Sequence, residues 1–163
     1  MDIPYSRKKE IDAVIEDILT PYEHWLASFT FEQLRERFHI WKILVTNIWD
    51  ATPGLTFGVR GSYVIVLKNG EENKEKTLGH ELGHLALSHL EKRVEERVQY
   101  FSSLSRYQKW ERYVVNKEEP PFPFGDNPME YAEAEYFSEC FTKKLRGVDW
   151  LRGLKVENLD NIL

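Results

Sequence analysis

His80 and His84 stand four positions apart in "HELGH", with Glu81 directly after the first, and this is the spacing in the chain that could do chemistry. On a helix four residues turn through about 400°, so both imidazoles leave one face a turn apart and can bind one ion together. Glu81 lies about 100° further round, beside a metal-bound water whose proton its carboxylate can accept. Zinc suits two neutral imidazoles, and an open coordination position lowers the pKa of its water from about 15.7 to about 7. The pattern predicts metal-assisted hydrolysis, with His80 and His84 as ligands, Glu81 as general base and Zn2+ as cofactor.

A catalytic zinc needs a third protein ligand. The segment "PMEYAEAEYFSECF", from Pro128 to Phe141, is rich in carboxylates. With Ala134, Phe137, Phe141 and Leu145 as its buried stripe, Glu130 falls near one edge and Glu135 near the other, while Glu133 and Glu139 lie farther round or outward. Glu130, third in a proline-led helix, also suits a capping box. His89 falls about 140° round the motif helix from His84, which makes it a surface or capping residue. His24 and His39 read as structural and Cys140 as a small buried residue. Gly79 and Gly83 each cost roughly 1 kcal/mol inside a helix, which points to close packing there.

The elements that must position these residues follow from periodicity. Ile11, Val14, Ile15, Ile18 and Leu19 have helical spacing within a stretch from Arg7 to about Ala27, which Pro21 should divide into two pieces. A short helix is expected from Thr30 to about His39. "IWKILVTNIW", "LTFGV" and "SYVIVL" read as three antiparallel strands separated by turns. The motif helix is expected from about Glu72 to beyond Val98, and a last helix, capped by Asn127, from Pro128 to about Leu145. The aromatics of "YFSSLSRYQKWERY" have helical spacing, which places core packing ahead of partner docking.

At 163 residues and 42% hydrophobic, the chain suits one domain over 1–163. A net charge of −5 with no basic run argues against direct nucleic-acid binding. The lone cysteine excludes an internal disulfide, and neither a signal-like stretch nor a membrane-length apolar run is visible, so a soluble, cytoplasmic protein without membrane contact is expected.

At "YVIVL", "TLGHELGHLALSH" and "EAEYFSECF" the chain resembles the ImmA/IrrE family of zinc metallopeptidases, and the resemblance covers most of the chain. The last stretch is similar to the family's E-x-E-A-N-x-F-A helix. The fold implied is α+β and gluzincin-like: N-terminal helices, a small three-stranded antiparallel sheet, the HExxH helix and a second Glu-bearing helix. Matching Ala134 and Phe137 to the family's Ala and Phe puts Tyr131 where its zinc-binding glutamate stands and Glu135 at its asparagine, and "FTKKLRG" replaces its Leu-Leu-Met-Pro ending. Glu135 is then the first choice for third ligand, reaching from the asparagine position or using the Glu-x-x-x-acid spacing of "EYFSE" with Glu139 as the orienting acid. Glu130 follows if Ala132 bulges the helix, and Glu133 comes third. Tyr131 is placed either to donate to the oxyanion or to pack.

The resemblance implies an endopeptidase that cleaves a specific regulatory protein, such as a transcriptional repressor of a mobile element or stress response. The substrate is expected to bind as an added strand at a sheet edge. The rival readings are a binding module, with structural zinc or none, that sequesters a regulatory partner, and a protease of broad specificity.

Overall fold

The computed structural model describes residues 2–47, 54–70, 73–91, 103–111, 115–116 and 128–161. The first apolar run forms α1 over Tyr5–Leu19 and buries Ile11, Ile15, Ile18 and Leu19. Pro21, which lacks an N–H, ends the α-helical ladder, and a 3-10 helix continues over Thr20–Ser28, giving the two expected pieces. The helix expected from Thr30 to about His39 contracts to a 3-10 turn over Phe31–Leu34, started by a hydrogen bond from the Thr30 N–H to Gln33 Oε1. His39, at φ 53°, takes the chain out of helical geometry and into the sheet.

Three apolar segments become β1 over Ile40–Thr46, β2 over Gly54–Val59 and β3 over Ser62–Lys68. Arg60 and Gly61, at φ 49° and 82°, close β2 onto β3 with the two left-handed residues that a tight hairpin needs. The expectation of a three-stranded antiparallel sheet is corrected: the sheet has four strands in the order β2-β3-β1-β4 and is mixed. β4 is the pair Glu157–Asn158, parallel to β1, and β1 is parallel to β3, so the β2–β3 hairpin is the antiparallel pair. The reason lies in β3, where Val64, Ile65, Val66 and Leu67 are all buried. An unbroken apolar run marks a strand covered on both faces and flanked on both sides. β4 is polar and short, and is fastened by Lys42 to Glu157 at 2.8 Å and by Thr46 Oγ1 donating to Asp160 at 2.7 Å.

The motif helix, α2, runs over Lys74–Ala86 and does not continue to Val98 as expected. It is broken at Leu87 and Ser88, the latter at φ 58°, and helical geometry resumes at His89. Residues 92–102 lie outside the described part of the chain, as does the expected cap Asn127. α3 covers Arg106–Trp110 and is started by a capping box between Ser105 and Gln108. Tyr107 and Trp110 are exposed there, contrary to the core packing expected of them. α4 covers Pro128–Lys144 and buries Ala134, Phe137 and Phe141, with Leu145 just beyond, as the stripe predicts. No described helix is long and apolar enough to cross a membrane.

The main core gathers Ile11, Ile15 and Ile18 of α1, Leu78 and Leu82 of α2, Phe137 and Phe141 of α4, and Ile43 and Ile65 from one face of the sheet. α2 and α4 approach each other through the two motif glycines, whose neighbour is α4 rather than the sheet. A Cβ on Gly79 would lie 2.7 Å from Ser138 Oγ, and one on Gly83 would lie 3.1 Å from the Phe137 ring. Neither neighbour can give way easily. Ser138 Oγ donates to the Lys76 carbonyl at 2.7 Å, and the fully buried Phe137 ring stacks on Phe141. Gly79→Ala and Gly83→Ala should therefore each lower the urea midpoint. Overpacking at about 1–3 kcal/mol outweighs the helix-propensity gain of about 1 kcal/mol. A raised midpoint in either variant would show that α2 and α4 can separate at no cost.

Candidate metal centre

Leu78 and Leu82 anchor α2 in the core, which turns His80 and His84 toward α4. Both histidines are buried, and their Nε2 atoms face each other at 3.0 Å. The outer edge of each ring is tied to a second group. His80 Nδ1 meets Glu135 Oε1 at 2.7 Å, and His84 Nδ1 meets His89 Nδ1 at 2.8 Å. His89 Nε2 in turn meets Glu133 Oε1 at 3.0 Å. Glu133 is gripped by both arms of Arg7 from α1, with Nη2 at 2.9 Å and Nε at 3.1 Å.

These contacts form one line: Glu135, His80, His84, His89, Glu133. An ionised carboxylate only accepts, so the ring nitrogens touching Glu135 and Glu133 must carry protons. Neutral His89 then accepts at Nδ1 from His84 Nδ1–H. With one N–H on each ring, the three outer contacts account for one proton per ring. What remains is the inner contact, where the Nε2 lone pairs of His80 and His84 point at each other. Two such nitrogens have the donor chemistry to share one cation, and a carboxylate stands at each end of the line.

The electrostatics of the Glu133 end agree with this reading. Burial pushes the Glu133 carboxyl up, but hydrogen bonds from Arg7 and His89 outweigh it and hold it below the usual range. Burial likewise keeps the His89 imidazole below its ordinary value, against the pull of Glu133. The hydrogen bond to Glu133, more than burial opposes, raises the Arg7 guanidinium above its normal range. At neutral pH the end is a charged Arg7–Glu133 pair beside a neutral ring.

Glu81 is buried, and its Oε2 accepts from Thr56 Oγ1 on β2 at 2.5 Å. Gly54, also on β2, makes room for it: a Cβ there would lie 3.1 Å from Glu81 Oε1 and 2.8 Å from Thr77. The sheet thus orients the carboxylate of the motif while α4 orients its imidazoles.

Of the residues singled out in the sequence, His80, Glu81 and His84 lie on α2 and Glu130, Tyr131 and Glu135 on α4; His80 meets Glu135 and Tyr131 across the contact, while Glu81 faces β2. Glu135 stands at the Nδ1 edge of His80, away from the Nε2 pair, with Lys76 Nζ at 3.6 Å on its other oxygen. It also walls a polar cleft shared with Asn73, Glu75 and Glu139. Glu130 is buried on the first turn of α4. Tyr131 is half exposed, with its ring 5.0 Å from that of His80. Glu139 points outward as expected, whereas Glu133, read as farther round or outward, is buried.

The reading of His89 as a surface or capping residue is corrected. It is buried against His84, because the break at Leu87 and Ser88 voids the regular-helix angle on which the expectation rested. Thr56 and Arg7 carry no signal of their role in the sequence, since each acts through a partner distant along the chain. His24 and His39 are exposed, and Cys140 is half-buried, its thiol pushed up by burial. Among the described residues, no group of three or more His, Cys, Asp or Glu is arranged to hold a metal ion. The two facing imidazoles have donor chemistry of the kind that suits zinc. No family model matches the chain, and comparisons with curated proteins and with solved structures give no match.

Proposed function

We propose that the protein is a zinc-dependent endopeptidase of the ImmA/IrrE kind that cleaves a specific regulatory protein, such as a transcriptional repressor. The observation that supports this most is the 3.0 Å approach of His80 Nε2 and His84 Nε2, with each ring fixed at its outer nitrogen. Zinc held there would polarise a scissile carbonyl and bring the pKa of its water toward about 7. Glu81, whose Oε2 is held in place by Thr56, would take the water's proton and pass it to the leaving amine. β2 lies at an edge of the sheet and touches Glu81 through Thr56, so a peptide added along that edge would run past the carboxylate. Tyr131, at the exposed rim beside His80, is suited to donate to the carbonyl oxygen.

Zinc added to metal-free protein should raise the thermal midpoint, with about 2.7 kcal/mol of stabilisation at a free concentration of 100 times Kd. His80→Ala and His84→Ala should each remove that rise. Zinc-loaded protein should cut candidate repressors and leave casein intact. A midpoint indifferent to zinc, or a zinc response that survives both substitutions, counts against the site.

The absence of a three-residue metal group among the described residues favours one alternative, a binding module that sequesters its regulatory partner. Stoichiometric recovery of the uncut partner from zinc-saturated protein would support it.

A further inference from the structure

We propose that His89, Glu133 and Arg7 form a positioning arm that fixes the tautomer of His84, and that α1 thereby belongs to the metal centre. The inference rests on the zinc reading above. Arg7 and Glu133 meet through two parallel N–H to oxygen contacts at 2.9 and 3.1 Å, the fork geometry that holds a carboxylate at a defined angle. Glu133 is spanned by that fork and presents Oε1 to His89 Nε2 at 3.0 Å, which requires a proton on that nitrogen. With a single N–H on the His89 ring, its Nδ1 is the acceptor, and the 2.8 Å contact is donated by His84 Nδ1. Only then does His84 turn a lone pair toward His80.

The arm mirrors Glu135 on the other ring, but it has two further members and reaches another element. Arg7 sits on the first turns of α1, and Tyr136 of α4 also bonds α1 through Asp12 at 2.9 Å. Displacing the start of α1 would release Glu133 and leave His84 free to carry its proton at the metal-facing nitrogen. Both orienting carboxylates lie on α4, but Glu133 is held by Arg7 of α1, whereas the cation beside Glu135 is Lys76 of α2.

The test reads the His84 ring directly, by long-range nitrogen–proton NMR, together with zinc affinity by chelator competition. Metal-free wild-type protein should show the His84 proton on Nδ1. His89→Phe, which keeps a ring but removes both nitrogens, should lose that preference and bind zinc about 10–100-fold more weakly. Arg7→Met keeps the aliphatic stem on a partly exposed residue and should weaken zinc binding in the same direction by less. A wild-type His84 protonated at Nε2 and not Nδ1 overturns the proposal, and so does a folded His89→Phe variant with unchanged zinc affinity. Should His89→Phe not fold, Arg7→Met and the wild-type tautomer still decide. Should wild-type protein not bind zinc at all, the peptidase reading fails, and the tautomer in wild-type and Arg7→Met protein still judges the arm.

Discussion

Glu81→Gln is expected to abolish nearly all peptide cleavage while leaving the fold and the zinc content as they are. The amide has the same volume and its oxygen can still accept from Thr56, so the contact between α2 and β2 survives. What it cannot do is take a proton. Loss of a positioned general base costs about 10²–10⁴-fold in turnover. Glu81 is not needed as a ligand, since the facing pair is His80 and His84, so zinc affinity should stay within a few-fold of wild type. Thr56→Val gives the graded comparison. It removes the hydroxyl that orients the carboxylate and should slow cleavage without ending it. Wild-type turnover in Glu81→Gln would sink the peptidase mechanism even if zinc is bound.

The parts of this protein that were legible in its sequence are those governed by local periodicity. The α1 stripe, the division at Pro21, the β2–β3 hairpin and the α4 stripe of Ala134, Phe137 and Phe141 each express a 3.6- or 2-residue pattern over a short window. The His80–Glu81–His84 grouping belongs with them, because its geometry is complete within one turn of one helix. Where sequence reasoning failed, the deciding contact was long-range or a single backbone angle intervened. The apolar run of β3 marks it as an internal strand, but the parallel direction of β1 beside it follows from how the chain returns. β4 has two polar residues and no alternation to detect. His89 was misread because one left-handed residue, Ser88, interrupts α2, and nothing in "LALSHL" announces it. Arg7 reaches Glu133 across 126 positions, a partnership that no window can see. The local pattern thus reveals the paired histidines, while the residues that orient them became visible only with the fold.

The third ligand is the sharpest remaining difference between the sequence reading, which puts Glu135 first, and the geometry of α4. Glu135 accepts from His80 Nδ1, and a carboxylate in that place orients a ligand and raises its basicity. Glu130 stands five residues earlier on α4 and is buried at its opening, while Glu135 is half-exposed and shared with Lys76. We therefore expect Glu130→Ala to weaken zinc binding by more than about 100-fold, and Glu135→Ala by about 10–100-fold, the range typical of a lost orienting partner. Glu133→Ala should act through His89 and fall in that lower range too, although the sequence alone suggested it would do little. Chelator competition on the three variants, with circular dichroism to confirm folding, ranks them directly. If Glu135→Ala strips the metal and Glu130→Ala retains it, Glu135 leaves His80 to become the ligand when zinc binds, and the original choice stands. If both variants hold zinc as tightly as wild type, α4 supplies no ligand, and the centre becomes a two-histidine site suited to binding rather than hydrolysis.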